Sequence, residues 1–448
     1  MATWLGVDDT DSVSGMCTTY LATEFLRATP FDLIGFPRLV RLNPNVPWKT
    51  RGNAAVCLRL GRGSGRPYLV GGFGESPLLA YPHGTPVRAQ EAMADAFAFV
   101  EELAQFEDPK TNPGIYATVH RPPASFYRAA VTRIVPLASA RKAARGGELR
   151  GFGNQRGIVG AVAATAWRPR DRTYEVVSYR SPDRWGTPRH VEPRSVKEME
   201  AAFPETFNSF DSTTGRSIIA PHSPCPVLFG IRGDRPERLP EAMRTIRGEA
   251  PERWLLFETN QGTDDHVLWR APSPVPRTTV AATGTVASPP RMLPGGHAVF
   301  RISGRWTMDC TIYEPAKRFR DVALALHPGD RVTAIGSIRA SPRTLNVEKL
   351  LIRRLVAVTQ KVANPVCACG KRMKSAGRGH GYRCRHCGST APATAATFVT
   401  VPRRVSIGWY EPPVGARRHL SKPLKRMALP KAGPQAVVEM ISMPPGRT

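Results

Sequence analysis

The sequence predicts a multidomain α+β protein: an N-terminal α/β region, then a small ferredoxin-like domain, an OB-fold β-barrel and a zinc ribbon. Three observations predict it. Strand and helix patterns alternate from the N-terminus to "RWLLFETN". Five short strand patterns with glycine-bearing turns follow the proline-rich "RAPSPVPR". Two close pairs of cysteines come after them. At 448 residues the chain exceeds a single core, and roughly 150 residues per domain gives about three domains plus smaller modules. The 41% hydrophobic fraction suits globular packing.

Taken in order, "TWLGVD" reads as a buried strand and "GMCTTYLATEFLR" as a helix with Met16, Tyr20, Leu21 and Phe25 on its apolar face. "PFDLIGFPRLVRLNPNVPWKTRGNAAVCLRL" gives strands around a polar loop from Asn43 to Asn53, and "GRGSGRP" a turn or mobile loop. "RAQEAMADAFAFVEELAQF" is a strong helix that "DPKTNPG" stops. Further on, "GNQRGIVGAVAATAW" is a small-residue helix and "TYEVVSYR" a strand. "CPVLFGIRG", "RPERLPEAMRTIRG" and "RWLLFETN" form a βαβ series, which predicts a parallel strand pair. After the linker the pattern is all-β, with one helical insert, "AKRFRDVALAL". Five such strands predict an OB barrel or another small barrel.

Cys384 and Cys387 form C-x-x-C, while Cys367 and Cys369 are only C-x-C, with 14 residues between the pairs. Four such thiols suit a tetrahedral zinc site. The first pair is one residue short, so His380 or His386 stands as a substitute ligand. The other four cysteines, Cys17, Cys57, Cys225 and Cys310, are isolated. This pattern fits reduced thiols plus one metal site, not a disulfide framework.

The chain carries 63 Lys and Arg against 36 Asp and Glu, a formal net charge of +27. From Lys361 onward there are 16 basic residues and 2 acids, so half of the excess lies in the last 88 residues. Such a balance favours a polyanion, through phosphate neutralisation and counterion release. A charged-then-apolar leader and a membrane-spanning apolar run are both missing from the sequence, so a cytoplasmic protein without a membrane partner is expected. No obligate protein partner is inferred.

Against that charge, "DDTDSVSG" crowds Asp8, Asp9 and Asp11 into four residues before a helix. Carboxylates this close repel unless a cation joins them, and Mg²⁺ riding on substrate phosphates is the natural one. Gly15 allows a close turn, and the helix start with Thr18 and Thr19 favours phosphate. Lys49, Arg51 and Asn53 lie in the later polar loop as cationic and polar clamps. Acids plus clamps suit phosphoryl transfer. Helix capping by Asp and solvent exposure of the cations are an equal reading of the same residues.

Together, "GVDDTDSVSGMCTTYLA", "GFPRLVRLNPNVPWKTRGN", "CPVLFGIRGD", "FETNQGTDDH", "KRMKSAGRGHGYRC" and "YEPPVGARRHLSKP" resemble the archaeal 2-agmatinylcytidine synthetase family, over nearly the whole chain and in order. The resemblance implies ATP-dependent formation of agmatidine at the wobble cytidine of the isoleucine tRNA with a CAU anticodon, so that the tRNA reads AUA. Phosphorylation of the oxygen on carbon 2 is followed by displacement with agmatine. The resemblance also makes the N-terminal unit a kinase-like catalytic domain. By position, Asp8, Asp9 and Asp11 would handle Mg²⁺ and ATP, with Gly15 in the same turn. Thr18 matches the family's phosphorylatable threonine, and Lys49, Arg51 and Asn53 would contact the triphosphate.

Agmatine is a dication, so its pocket should hold carboxylates, and Asp211, Asp234 and Asp264 are candidates, although for any single one the turn-former reading carries more weight. Lys371, Arg372, Lys374, Arg417, Arg418, Lys422 and Lys425 are the expected RNA phosphate contacts. Trp409 and Tyr410 would stack on bases or fill a hydrophobic cluster. The expected division is 1–125 (ATP-binding, kinase-like), 126–272 (ferredoxin-like, agmatine site), 277–357 (OB-fold), 361–395 (zinc ribbon) and 396–448 (basic tail). The first ribbon pair is tighter than the family's pattern, which bears directly on zinc. A competing reading is a non-catalytic single-stranded nucleic-acid binder built on the OB fold and ribbon; tRNA-dependent ATP breakdown separates the two.

Overall fold

The computed structural model describes residues 1–427; the last part of the basic tail expected over 396–448 lies outside the described residues. Its largest element is a 13-stranded sheet that runs through both N-terminal units. The first strand, β1 (Thr3–Asp8), lies between Ala54–Ser64 and Gly114–Thr118, antiparallel to both. Buried Leu5 and Val7 explain its central place. Two links join the halves. Strand Arg253–Thr259 pairs antiparallel with Tyr68–Phe73 and parallel with Arg38–Arg41.

Helix Gly157–Ala166, made almost wholly of Gly, Ala and Val, packs across β1. Its small residues let the backbones approach closely. A Cβ on Gly6 would meet the Ala161 carbonyl oxygen at 2.2 Å.

Two expectations change. Strands Val227–Gly233 and Arg253–Thr259 are not a directly bonded parallel pair. Strand Thr173–Tyr179 lies between them, antiparallel to each, so the short helix Leu239–Arg244 belongs to a crossover that skips one strand. The "GRGS" stretch is strand, not loop: Ala54–Ser64 runs through it and pairs with His83–Pro86. Its glycines admit close neighbours, since a Cβ on Gly63 would meet the Tyr81 ring at 2.3 Å.

The all-β segment closes into a barrel. Thr279–Val286 pairs with His297–Gly304, that strand with Thr307–Ile312, then Thr344–Arg354, then Arg331–Ile338, which returns to Thr279–Val286. Thr307–Ile312 with Thr344–Arg354 is the one parallel pair in the circuit. Alternate residues such as Val280, Ala282, Phe300 and Ile302 fill the interior. The insert is a short helix, Phe319–Leu324, between the third and fourth strands.

A two-stranded stalk, Val358–Ala363 with Thr397–Val401, then carries the cysteine ribbon. Beyond the stalk, Gly408–Tyr410 adds to the barrel, and the chain from 411 to 427 lies back across the large sheet as a strap. Among the described residues no helix is long and apolar enough to cross a membrane.

Candidate functional site

β1 delivers Asp8 to its C-terminal end, and the chain turns at Asp9, whose φ of 60° is left-handed. The turn is held from several sides. Asp108 accepts from the Ser12 hydroxyl at 3.1 Å and the Val13 N–H at 2.7 Å. Arg51 donates to the carbonyls of Ser12 at 2.5 Å and Met16 at 2.8 Å. Helix α1 (Thr18–Ala28) starts directly after it.

The three carboxylates take different roles. Asp11 accepts from the Thr18 N–H at 2.8 Å and the Thr18 hydroxyl at 3.1 Å, so it caps α1 from seven residues upstream. It also lies 3.7 Å from the Arg51 guanidinium. Asp9 is paired with Arg156 at 2.7 Å, and burial still pushes its carboxyl up to about 6. Asp8 is buried against helix Gly157–Ala166; burial and then the neighbouring Asp9 charge hold it well above the usual carboxylate range. Carboxylates raised in this way gain from a nearby cation. Thr18 is buried, and its hydroxyl accepts from Thr10 at 3.0 Å while donating to Asp11.

In front of Thr18 lies a cavity of about 260 Å³ between α1 and the second half of the sheet, lined by Asp11, Thr18, Arg41, Arg51, Glu175 and His419 among others. Glu175 accepts from Arg232 Nε at 2.9 Å and from Gln261. His419 comes from the strap. Its ring is open to the cavity although protein encloses it, and the Arg41 guanidinium, burial, Arg232 and Lys49 together hold it well below its ordinary pKa.

The remaining expected residues are dispersed. Lys49 donates to the Pro44 carbonyl and, with Arg418, lines a separate open cleft of about 420 Å³ against the barrel. Asn53 has a left-handed φ of 52° and donates to the Asn43 carbonyl at 2.8 Å, so it shapes its own loop. Gly15 sits in the turn, its carbonyl 3.2 Å from Arg51. Asp234 is paired with Arg426 at 2.8 Å, and Asp264 with Lys349 at 2.8 Å. Asp211 accepts backbone N–H groups of Thr213 at 3.0 Å and Gly415 at 3.4 Å.

Among the expected RNA contacts, Lys371, Arg372 and Lys374 are exposed on the ribbon. The strap's cations are engaged inside the molecule. Arg417 pairs with Glu411, Arg418 with Glu348 and Lys422 with Asp171, while Lys425 donates to the Thr206 carbonyl. Tyr410 packs on the barrel core, and Trp409 lies under the Lys349 ammonium at 5.9 Å. Sequence reasoning missed Arg156, Asp108 and His419. Arg156 stands in the "GNQRG" run, whose glycines signal only the lead-in to a helix.

Cys367, Cys369, Cys384 and Cys387 offer sulfur atoms all within 4.8 Å of one another. Two cross-pairs stand at 3.4 Å and 3.6 Å. Tetrahedral zinc with Zn–S bonds of about 2.3 Å needs S···S separations of about 3.8 Å, so the short pair places both its sulfurs at a spacing that suits such a site without histidine. Hydrogen bonds from Ser389 push the Cys387 thiol down to about 6. The three carboxylates form no such cluster. Among the described residues the four cysteines are the one grouping with metal-cage spacing.

Family models match three consecutive segments: a TiaS TCKD domain at residues 4–154, a TiaS FLD domain at 155–266 and a TiaS C-terminal zinc ribbon domain at 364–405. The chain is 38% identical to the isoleucine-tRNA 2-agmatinylcytidine synthetase TiaS of Methanosarcina mazei, covering 94% of this chain and 97% of that one. It is 36% identical to the protein of that name from Methanocaldococcus jannaschii, covering 95% and 99%. Among solved structures, a complex of TiaS with its isoleucine tRNA and ATP superposes with a TM-score of 0.82 at 34% identity, over 97% of this chain and 99% of that one. A complex of TiaS with the same tRNA, AMPCPP and agmatine gives 0.79 at 31% identity, with the same coverage. With three domain models in the right order and relatives similar from end to end, the chain belongs to the TiaS family of isoleucine-tRNA 2-agmatinylcytidine synthetases.

Proposed function

We propose that this chain forms agmatidine at the wobble cytidine of the isoleucine tRNA with a CAU anticodon, consuming ATP and agmatine. Phosphorylation of the oxygen on carbon 2 makes it a leaving group, and the amine of agmatine displaces it. The observation that carries this reading is the meeting of Thr18, Asp11 and Arg51 on one cavity, in a chain similar over its length to TiaS bound to isoleucine tRNA, to ATP and to agmatine. A simple nucleic-acid binder has no use for that cavity, so the non-catalytic reading is not favoured.

The chain's own residues do the positioning. Asp11 holds Thr18 through both its N–H and its hydroxyl, which orients that oxygen toward an arriving phosphoryl group and offers a carboxylate for its proton. Arg51 fixes the turn and leaves its charge facing the cavity, where phosphate charge is to be stabilised. Asp8 and Asp9 would hold Mg²⁺ together with phosphate oxygens, and the ion would offset phosphate charge beside them. The cysteine cluster would hold zinc as a cross-link without chemistry of its own.

For agmatine, Asp211 is the carboxylate we favour. It is buried, bound by backbone N–H groups, and faces Gly415 beside the cavity-lining Ile218. Asp234 and Asp264 are already paired. Lys371, Arg372 and Lys374 are assigned to tRNA phosphates.

We read the first unit as kinase-like, the second as ferredoxin-like from its split βαβ arrangement, and the barrel as an OB fold from its strand circuit. We move the first boundary from 125/126 to about 154, where the family models meet and after strand Glu148–Gly151 has paired with Gly114–Thr118, and keep 277–357, 361–395 and the tail as proposed, acting in the cytoplasm. The test is incubation with ATP, labelled agmatine and unmodified tRNA transcript. Label in the tRNA that depends on ATP is expected; tRNA binding without ATP turnover would overturn the reading.

A further inference from the structure

The strap carries basic residues on both sides of one histidine, His419. His419 lines the same cavity as Thr18, Asp11 and Arg51. The backbone around it is pinned. Its carbonyl accepts the Gly262 N–H at 2.8 Å, and the next carbonyl, of Leu420, accepts the Asp264 N–H at 2.8 Å. On either side, Arg418 is paired with Glu348 at 2.8 Å and Lys422 with Asp171 at 2.8 Å. Gly52, next to Arg51, lets the Arg41 guanidinium pack close beside the ring: a Cβ there would lie 2.3 Å from that guanidinium and 3.4 Å from His419 Cδ2. The backbone is thus fixed and presents the imidazole to the cavity, and no side-chain hydrogen bond to its nitrogens is found among the described residues.

The other ionisable groups on the cavity wall are committed, Cys225 among them, whose sulfur accepts from Arg189 at 3.6 Å. Asp11 is bound to Thr18 and faces Arg51. Glu175 is held between Arg232 and Gln261. Burial pushes the Cys17 thiol up to about 11, so it keeps its proton. Arg41, Arg51 and Arg232 are cations and accept nothing. His419 is the nitrogen base that remains, and the guanidinium of Arg41, then burial, Arg232 and Lys49 keep it uncharged at neutral pH.

Resting on the amine-displacement reading above, we propose that His419 accepts the proton that the agmatine nitrogen sheds as it joins carbon 2 of the cytosine. Agmatine's ammonium first loses one proton to solvent; the uncharged amine so formed attacks carbon 2, and the new C–N bond leaves that nitrogen positively charged with one proton too many. The bond from carbon 2 to its phosphorylated oxygen breaks, and its electron pair leaves with the phosphate. The surplus proton moves to a ring nitrogen of His419. A nitrogen bonded to such a ring in its cationic form is strongly acidic, so a weak, neutral base is sufficient, and the surrounding cations return the proton to water afterwards.

The test uses the full chain with His419→Ala and His419→Gln, unmodified tRNA transcript, ATP and labelled agmatine. Two rates are followed: agmatine incorporation, and phosphate transfer to tRNA without agmatine. General-base loss is worth about 100-fold or more. Incorporation should therefore fall by about that factor in both variants, with a far smaller change in phosphate transfer or in the agmatine concentration for half-saturation. Added imidazole should restore part of the rate in the alanine variant, and the acid limb of the pH–rate profile should vanish. Incorporation within about threefold of wild type in His419→Gln overturns the proposal. So does an equal fall in both rates with no response to imidazole, which marks a structural role. A wild-type chain that incorporates no agmatine overturns the underlying reading instead.

Discussion

Replacing Asp264 by Asn separates a substrate carboxylate from a structural one. Asp264 has a left-handed φ of 62°, which Asn tolerates and Ala does not, so the change removes charge and little else. Asp264 Oδ2 lies 2.8 Å from Lys349 Nζ, with side chains 10% and 1% exposed, and its other oxygen accepts the Lys422 N–H at 2.7 Å. Lys349 belongs to the barrel and Asp264 to the loop leading away from the large sheet, so the pair bridges the two. Removing one partner of a buried pair costs about 3–5 kcal/mol because the other charge is stranded. The amide oxygen still accepts from the ammonium, so the low end, about 3 kcal/mol, is expected.

At roughly 2–4 °C per kcal/mol for a unit of this size, the melting point should drop by on the order of 10 °C. Lys349→Met in the same chain removes the stranded charge and should recover all but about 1 kcal/mol. Thermal unfolding of the two single variants and the double variant, with agmatine saturation curves for each, tests this. An Asp264→Asn chain as stable as wild type, with agmatine half-saturation raised tenfold or more, would refute the structural assignment.

Other consequences follow from the same geometry. Gly160→Ala places a Cβ 1.7 Å from Asp8 Oδ2, so ATP binding should be lost at a stability cost of about 1–3 kcal/mol, read by nucleotide titration beside thermal melting. Cys369→Ser should lower zinc content and weaken tRNA binding while ATP binding persists, measured by metal analysis and filter binding. Asp9, raised to about 6 from an ordinary 3.8, binds more protons folded than unfolded. Without divalent cations, stability should therefore fall as pH rises from about 4 to 6, and Asp9→Asn should flatten that dependence in melts with a chelator present. Neutralising Lys371, Arg372 and Lys374 together should reduce the slope of log affinity against log salt by about 2, whereas Lys425→Gln should leave the slope unchanged.

Local patterns reached the elements but not how they join. The barrel strands were visible because apolar residues alternate between glycine-bearing turns, and five such segments have few ways to close. The shared sheet was not visible. Arg38–Arg41 meets Arg253–Thr259 across more than two hundred residues, and nothing in either stretch names the other. In the acidic turn the capping reading fits Asp11, which caps α1, while Asp9 pairs with Arg156, a partner 147 residues away that no local pattern names. The short cysteine pair looked deficient because spacing was judged along the chain. Ligation depends on where the sulfurs end in space, and Cys367 and Cys369 each meet a partner on the opposite turn.

The strap was misleading for an electrostatic reason. A run rich in Lys and Arg reads as a polyanion contact when its acids lie far away in sequence. Here those acids, Asp171, Asp234 and Glu348, sit on the sheet and barrel surfaces that the strap crosses. Exposed ion pairs contribute little, but Arg426 is 6% exposed and bonds both Asp171 and Asp234, which fixes the strap's register. The arrangement has a mechanical consequence. The ribbon, for which tRNA phosphate contacts are proposed above, and the barrel are covalently continuous with the segment that carries His419 into the cavity. The strap on either side of that ring is tied both to the barrel, through Arg418 and Glu348, and to the sheet side, through Gly262, Asp264 and Asp171, so it couples the two bodies at the cavity.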